Sequence, residues 1–347
     1  MKKIITFAFD FNKITQIMPI MKYGITLLAA LFLAAACGKQ QKNVVLNGFA
    51  QGSTYHIVIA QDTVAGLCHS IDSLFDRIDE SLSIYNKTSQ LSKINRNQSD
   101  SLDDHLCYCI NYAQEFSRMT GGMFDITVMP LVRAYGFGAD RAVQSPNVDS
   151  LLQFVGYEKI EIKDNRLVKA DSRVQIDLNA IAQGYTVDKV AELFDRYGYE
   201  NYLIEIGGEI YAKGEKPTGQ PWIIGIDSPR EGNYVPGNDL IIKLKMKNRG
   251  LATSGNYRKF YTDSTGRKIV HTINPITGEP VVSSLLSATV IAKDAATADV
   301  LGTYLMLIGI DAAKEYLAAH PEVDALLIYD RDGEFRTFRT PNLAVVE

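Results

Sequence analysis

From about residue 160 onward the sequence alternates strand-like and helix-like runs, yet never settles into a repeating strand–helix–strand rhythm. Strand signals fall at Lys159–Ile162, Tyr202–Ile206, Trp222–Ile226, Leu240–Lys245, Ser287–Ala292 and Ala325–Tyr329. Helical spacing marks Thr186–Tyr197, stopped by Gly198, then Ala295–Ile308 and Ala312–His320. A parallel sheet needs a crossover, usually helical, between its strands, so this irregular order predicts an α+β fold rather than a doubly wound one. Upstream, Tyr55–Ala60 reads as a strand. Leu67, Ile71, Leu74, Phe75, Ile78 and Leu82 recur at helical spacing and predict an amphipathic helix over 64–82. Ile110, Ala113, Phe116 and Met119 mark a second helix, ended by Gly121-Gly122. Residues 136–147 read as loop. No internal repeat, low-complexity tract or interdomain linker follows residue 43, which favours two interlocked subdomains in one unit.

Size and composition set the outer bounds. A chain of 347 residues holds one large domain or two ordinary ones, and 46% hydrophobic with 22% charged residues is a soluble globular balance. A net charge of −4 with no long basic stripe argues against a nucleic-acid-binding surface.

The N-terminus departs from that balance. Lys22 follows Met21, an apolar run extends from Ile25 to Ala36, and Cys37 comes next. A basic start, an apolar stretch and small residues before a Cys form an export signal. The run is too short for a comfortable transmembrane helix, which needs about 20 apolar residues. Ala34-Ala35-Ala36-Cys37 resembles the lipobox of bacterial lipoproteins, with Ala34 where Leu is usual; the alternative is an ordinary cleaved signal. The expected layout is a leader over 1–37, with Met21 as a candidate start, a linker over 38–46, and one domain over 47–340. The expected location is outside the cytoplasm, lipid-anchored through Cys37 to a bacterial membrane and facing the periplasm. Cys68, Cys107 and Cys109 show no zinc spacing and read as structural.

Five segments could carry chemistry. Asp177-Leu178-Asn179-Ala180-Ile181-Ala182-Gln183-Gly184-Tyr185-Thr186-Val187-Asp188 places a polar turn directly before a helix. Such a junction offers backbone N–H groups to a phosphate, and carbonyls to a hard cation; the plainer reading is a turn capped by Asp177. In Ala298-Asp299-Val300-Leu301-Gly302-Thr303, Asp299 and Thr303 share one helix face in apolar surroundings. A carboxylate there is costly unless paired or metal-bound, and carboxylate plus hydroxyl suits Mg²⁺; a salt bridge or helix-start position is the alternative. His271 precedes the Pro- and Gly-punctuated turn Thr272–Pro280, where a near-neutral base can take a proton. Ile206-Gly207-Gly208-Glu209 and Thr253-Ser254-Gly255-Asn256-Tyr257 are small turns that let a backbone approach a pyrophosphate. Taken alone, each of the first three segments fits its plain structural reading better, and the last two fit an ordinary turn about equally well.

Taken in chain order, these segments resemble the ApbE family of flavin transferases (FAD:protein FMN transferases), over about residues 47–335. DLNAIAQGYTVD, EIGGEIYAKG, LATSGNYRKF, HTINPITGEP and TADVLGT carry the likeness, with LSIYNKTSQLSKIN and TGGMFDITVMPLVRAYGFG upstream. The resemblance implies an α+β fold with a flavin cleft between two α/β subdomains, FAD as substrate and Mg²⁺ as cofactor. It implies that Asp299, Thr303 and the Ala180 carbonyl hold the metal and that His271 is catalytic. Gln51, Tyr85, Gly122, Met123, Phe124, Asp125, Asp177, Gln183, Gly207, Gly208, Ser254 and Ile273 would line the flavin and adenine sites. The implied reaction moves FMN from FAD to a Thr or Ser hydroxyl of a target protein and releases AMP. Family targets are membrane redox subunits such as those of sodium-pumping NADH:quinone oxidoreductase. An Mg²⁺-dependent FAD pyrophosphatase and a non-catalytic FAD-binding lipoprotein are the alternatives. The sequence departs from the family pattern at Gln183, where Lys is usual, at Gln51, where Met is usual, and at Asn274, where Asp is frequent.

Overall fold

The computed structural model describes residues 43–138, 147–230, 233, 235, 237–257 and 260–346. The leader, including Cys37, lies outside the described residues, as does most of the 136–147 loop.

The chain opens with an antiparallel hairpin, β1 (Val44–Ala50) and β2 (Ser53–Ile59). Val44–Leu46, expected as linker, are therefore the start of a sheet strand. Helix α1 (Leu67–Leu82) buries the predicted stripe Leu67, Ile71, Leu74, Phe75, Ile78 and Leu82. Ser89 caps α2 (Gln90–Asn95), and Asp103 caps α3 (Asp104–Met119), which ends before Gly121 and Gly122, both at positive φ. Short helices α4 (Met129–Ala134) and α5 (Val148–Leu152) lead to a small hairpin, β3 (Ile160–Lys163) and β4 (Arg166–Lys169). Helix α6 (Ala182–Arg196) starts four residues earlier than its apolar spacing suggested. Strands β5 (Tyr202–Ile206) and β6 (Glu209–Lys213) turn on Gly207-Gly208. The ribbon β7 (Trp222–Asp227) and β8 (Leu240–Met246) precedes β9 (Arg249–Gly255) and a second small hairpin, β10 (Phe260–Thr262) with β11 (Lys268–Val270). Then come β12 (Leu285–Ala292), helix α7 (Ala295–Ala319), β13 (Asp324–Arg331) and β14 (Glu334–Arg339).

Eight strands form one sheet in the order β1-β2-β5-β6-β9-β12-β13-β14, and every neighbouring pair is antiparallel. Side chains alternate across it. Ile57, Ile204, Ala288, Val290 and Leu327 face the helices, whereas Leu203, Ile210, Leu251, Ile291 and Ile328 face a second core closed by Trp222, Ile224, Leu244 and Met246 of the β7–β8 ribbon. Both faces are thus covered, and the central strands read as almost continuous apolar runs. The C-terminal tail belongs to this unit beyond residue 340: Leu343 is buried, and Val345 bridges to Leu244. A third cluster of Leu131, Tyr135, Val155, Ile269 and Ile273 gathers α4 and β11. The α+β reading holds, and residues 42–347 form one compact unit.

Helix α7 is long and apolar enough, by composition, to cross a membrane. It is not straight. Gly309 sits at φ 77°, ψ 176°, inside the helix. The rings of Tyr304 and Tyr316 lie 5.3 Å apart, although twelve residues of straight helix span about 18 Å. The chain therefore folds back at Gly309, as the two separate helical runs read from the sequence require.

Candidate active site

Residues 174–184 are strapped into place before α6 begins. Asn95 holds Ile176 on both sides, accepting from its N–H at 2.8 Å and donating to its carbonyl at 2.8 Å. Asp177 N–H donates to the Ile126 carbonyl at 2.8 Å, and the Asp177 side chain accepts from Asn179 N–H at 2.8 Å. This brings Asp177 beside the Gly122–Asp125 segment. Phe124 is buried edge-on against Phe116. Asp125 is buried as well, and accepts from the Thr127 N–H at 2.8 Å and hydroxyl at 2.6 Å. Burial pushes its carboxyl up; the Thr127 bonds oppose this. Asp125 therefore shapes the loop through its own side chain. Gly122 and Met123 lie half-buried on the same turn.

The start of α6 meets the start of α7. Gly184 N–H donates to Asp299 Oδ2 at 3.2 Å, the single hydrogen bond that this carboxylate accepts among the described residues. Asp299 is only 6% exposed. Burial pushes its carboxyl up to about 7, opposed by the Gly184 N–H. Thr303, one turn on, is half-buried, as is Ala180. A buried carboxylate that lacks a full set of partners, with a hydroxyl on the same face, is a donor set that a hard cation completes. Among the described residues no three His, Cys, Asp or Glu side chains come together, so the chemistry favours an oxygen-liking ion over zinc. Asp299 and Thr303 together are oxygen donors of the kind that fit a hard cation such as Mg²⁺.

Other expected residues collect around this junction. Gln51 occupies the left-handed first position of a two-residue hairpin turn, at φ 51°, followed by Gly52 at φ 74°. Its Nε2 donates to Thr186 Oγ1 at 2.6 Å, while its Oε1 is buried without a hydrogen bond. The Gln183 amide lies against Gly207, so close that a side chain at 207 would strike it. Gly208 N–H donates to Glu205 Oε1 at 3.0 Å. Ser254 was expected on a turn but lies in β9, paired with Ala288. Its small neighbours explain the error: Gly302 of α7 packs on it, with Ser254 Oγ 2.9 Å from where a Gly302 Cβ would be.

His271 lies on a separate segment, tied to the end of β9. It follows β11, and its ring stands 6.2 Å from Phe137 at 67°. Thr272 Oγ1 donates to Asn256 Oδ1 at 2.7 Å, tying the His271 loop to the end of β9, two residues from Ser254. The turn then closes on itself: Val281 N–H donates to the Thr272 carbonyl at 2.9 Å, and Ile273 bridges to Pro280 with its side chain buried. Tyr85 has 59% of its surface exposed. A cavity of about 510 Å³ is lined by Tyr112, Phe116, Leu301, Tyr316 and His320 and contains none of the expected site residues.

Three contacts were not singled out from sequence: Thr186 under Gln51, Asn256 under Thr272, and Asp188 at the start of α7. Asp188 alone left a signal. It lies four residues, one helical turn, from Gly184.

Fold and site together define an antiparallel α+β protein in which a buried carboxylate meets a backbone N–H between two helix starts. The family match is direct: the ApbE family model spans residues 51–327, and the chain belongs to the ApbE family. It is similar to the FAD:protein FMN transferase of Haemophilus influenzae, with 34% identity over 90% of this chain and 94% of that protein. The corresponding Vibrio cholerae protein is 33% identical over 92% of this chain and 97% of its own length. Among solved structures, the flavin transferase ApbE from Vibrio cholerae superposes with a TM-score of 0.76 at 31% identity, covering 86% of this chain and 97% of that one. The apo form of Pseudomonas stutzeri flavinyl transferase ApbE gives 0.76 at 28% identity, covering 86% and 95%.

Proposed function

We propose that this protein is an Mg²⁺-dependent FAD:protein FMN transferase. The observation that carries the reading is the junction of Gly184 N–H with the buried, under-satisfied Asp299 carboxylate, one turn from Thr303. Its relatives' shared name supplies the reaction class.

Bound Mg²⁺, held by Asp299, Thr303 and the Ala180 carbonyl, would neutralise the pyrophosphate and ease departure of AMP. The chain's own groups do the rest. The open space over Gly208 lets the pyrophosphate approach the β5–β6 turn. Gln51, Gln183, Asp177 and the Gly122–Asp125 loop orient the flavin and adenine ends, with Tyr85 at the exposed edge and Gly207, Gly208, Ser254 and Ile273 along the walls. His271 takes the proton from a Thr or Ser hydroxyl as that oxygen bonds to the FMN phosphorus and the bond to AMP breaks. The expected acceptors are flavin-carrying subunits of membrane redox complexes. Lipidation at Cys37 would hold the enzyme on the periplasmic face of the same membrane and raise its local concentration there.

The test incubates the protein with FAD, Mg²⁺ and a candidate acceptor subunit, then measures in-gel flavin fluorescence and AMP. Labelled acceptor with AMP supports the reading; AMP and free FMN without label make the protein a pyrophosphatase; FAD retained intact makes it a carrier. His271→Ala should bind FAD but not label. Unchanged labelling in that variant removes His271 from the mechanism.

A further inference from the structure

Helix α7 has an unusual start. Its first four N–H groups need partners from outside the helix. Thr297 N–H donates to Asp294 Oδ1 at 2.7 Å, as in an ordinary local cap, and Ala298 N–H to the Asp294 carbonyl at 3.2 Å begins the helix's own ladder. The first two go elsewhere. Ala295 N–H donates to Asp188 Oδ1 at 2.9 Å, and Ala296 N–H to Asp188 Oδ2 at 2.8 Å. Asp188 belongs to α6, more than a hundred residues earlier in the chain, so one carboxylate of one helix clamps the end of another.

The spacing ties this clamp to the cation site. Gly184 lies one turn before Asp188 on α6, and Asp299 one turn after Ala295 on α7; Gly184 and Asp299 are themselves bonded. Ala180 precedes Gly184 by a further four residues, and Thr303 follows Asp299 by four. The two segments run antiparallel with matched four-residue steps, and Asp188 anchors the end remote from Thr303. Asp294 cannot do this, because it moves with α7. The contact is tight around the clamp: a Cβ at Gly184 would stand 2.8 Å from the Ala296 Cα.

We propose that Asp188 is a positioning residue for the cation site: its two-oxygen clamp sets the rotation and axial position at which α7 presents Asp299 and Thr303. The inference rests on the reading of those two residues as metal ligands. A slip of α7 by one residue turns it by about 100° and slides it about 1.5 Å, enough to carry Asp299 off the Gly184 N–H. Asn at 188 keeps one acceptor but aims its amide N–H₂ at a backbone donor. Glu keeps the charge and moves the clamp by a methylene.

The test measures Mn²⁺ binding, with Mn²⁺ as a paramagnetic probe for the Mg²⁺ site, from the loss of the free-ion resonance signal. Full-length protein in detergent micelles is titrated with FAD present, against an FAD-only reference, and folding is checked by circular dichroism. Wild type should bind one ion that Asp299→Ala does not. Supporting residues around a metal site change its affinity by about 10- to 100-fold, so Asp188→Asn and Asp188→Glu should weaken Mn²⁺ binding at least about tenfold, whereas Asp294→Ala should stay within about twofold. Affinity within about twofold of wild type in both folded Asp188 variants, or an equal loss in Asp294→Ala, overturns the proposal. If Asp188→Asn does not fold, Asp188→Glu decides. Wild type binding no more Mn²⁺ than Asp299→Ala overturns the metal reading itself, and this inference with it.

Discussion

Gly184→Ala separates geometry from stability at this site. Gly184 is helical, so alanine suits its backbone and by itself favours the helix by about 1 kcal/mol. The cost is steric. The new Cβ would lie 2.7 Å from the Ala295 carbonyl carbon and 2.8 Å from the Ala296 Cα, where ordinary contact begins at 3.4 Å. Both obstacles, and the Ala295 carbonyl oxygen that stands nearer still, are backbone, so helices α6 and α7 must part by about 1 Å. Overpacking of this kind costs about 1–3 kcal/mol. Set against the propensity gain, a net loss of up to about 2 kcal/mol remains, which lowers the melting temperature by about 2–8 °C. The effect on function is larger. Mg²⁺ demands near-ideal distances, and a displacement approaching 1 Å costs about 10²-fold in rate. AMP release with FAD and an acceptor, measured well below the melting temperature, should fall by about two orders of magnitude. The matched control is Gly198→Ala. Gly198 sits at φ 75° with nothing within 4 Å of its Cβ position, so that variant is strained but leaves the helix contact alone. It should lose stability and keep its rate. Gly184→Ala working at more than half the wild-type rate would refute the claim that the closeness of α6 to α7 sets the cation site.

Three further outcomes follow from named groups. Because burial raises the Asp299 carboxyl to about 7, protons compete with the metal below that pH and not above it. Apparent Mg²⁺ affinity should therefore fall about tenfold per pH unit as pH drops below 7 and level off above; a flat profile between pH 5.5 and 8 in a metal titration removes Asp299 from the ligand set. Gln51→Gly relieves a left-handed backbone and a buried orphan oxygen but loses the Thr186 bond. It should stabilise the FAD-free protein by about 1 kcal/mol while weakening FAD binding, as read by calorimetry and flavin fluorescence; a lower melting temperature contradicts the strain assignment. Gln183→Lys puts a charged donor near the expected pyrophosphate and should tighten FAD binding about tenfold at low salt, with the gain fading as salt is raised. No change in the dissociation constant would show that position 183 does not face the phosphates.

Where the sequence was legible, one physical signal dominated. Asp299 stood out because an acid among Val300, Leu301, Leu305, Met306 and Leu307 has no cheap explanation, and the structure buries it as that argument required. The two runs 295–308 and 312–320 read as separate helices because Gly309 interrupts them, and the chain does fold back there. The ribbon of β7 and β8 was visible because its buried face alternates with an open one. Strand β9 escaped notice for the opposite reason. In Arg249–Gly255 the side chains are small because α7 lies directly on the strand: a Cβ at Gly250 would run into the backbone of Asp294 and Ala295. Close packing of a helix on a sheet thus removes the bulky residues by which a strand is usually recognised. β1 was lost to its exposed edge, where Leu46 through Phe49 carry too little buried apolar surface to show a period.

The site divides along the same line. Each half of the cation junction was legible within its own segment, because local chemistry marks a turn before a helix and a carboxylate inside one. Their joining was not, because Gly184 and Asp299 are 115 residues apart and no pattern in either segment names the other. A subtler signal was nevertheless present. Ala180, Gly184 and Asp188 repeat at four residues, and so do Ala295, Asp299 and Thr303. Gly184 to Asp188 on α6 and Ala295 to Asp299 to Thr303 on α7 each step by one helical turn, so two antiparallel helices that touch through backbone at Gly184 can meet again at Asp188. The glycine is required because the backbone of Ala295 and Ala296 lies directly against it. The pairing of a small residue with a costly one at the same phase therefore carries information about contact that neither residue carries alone.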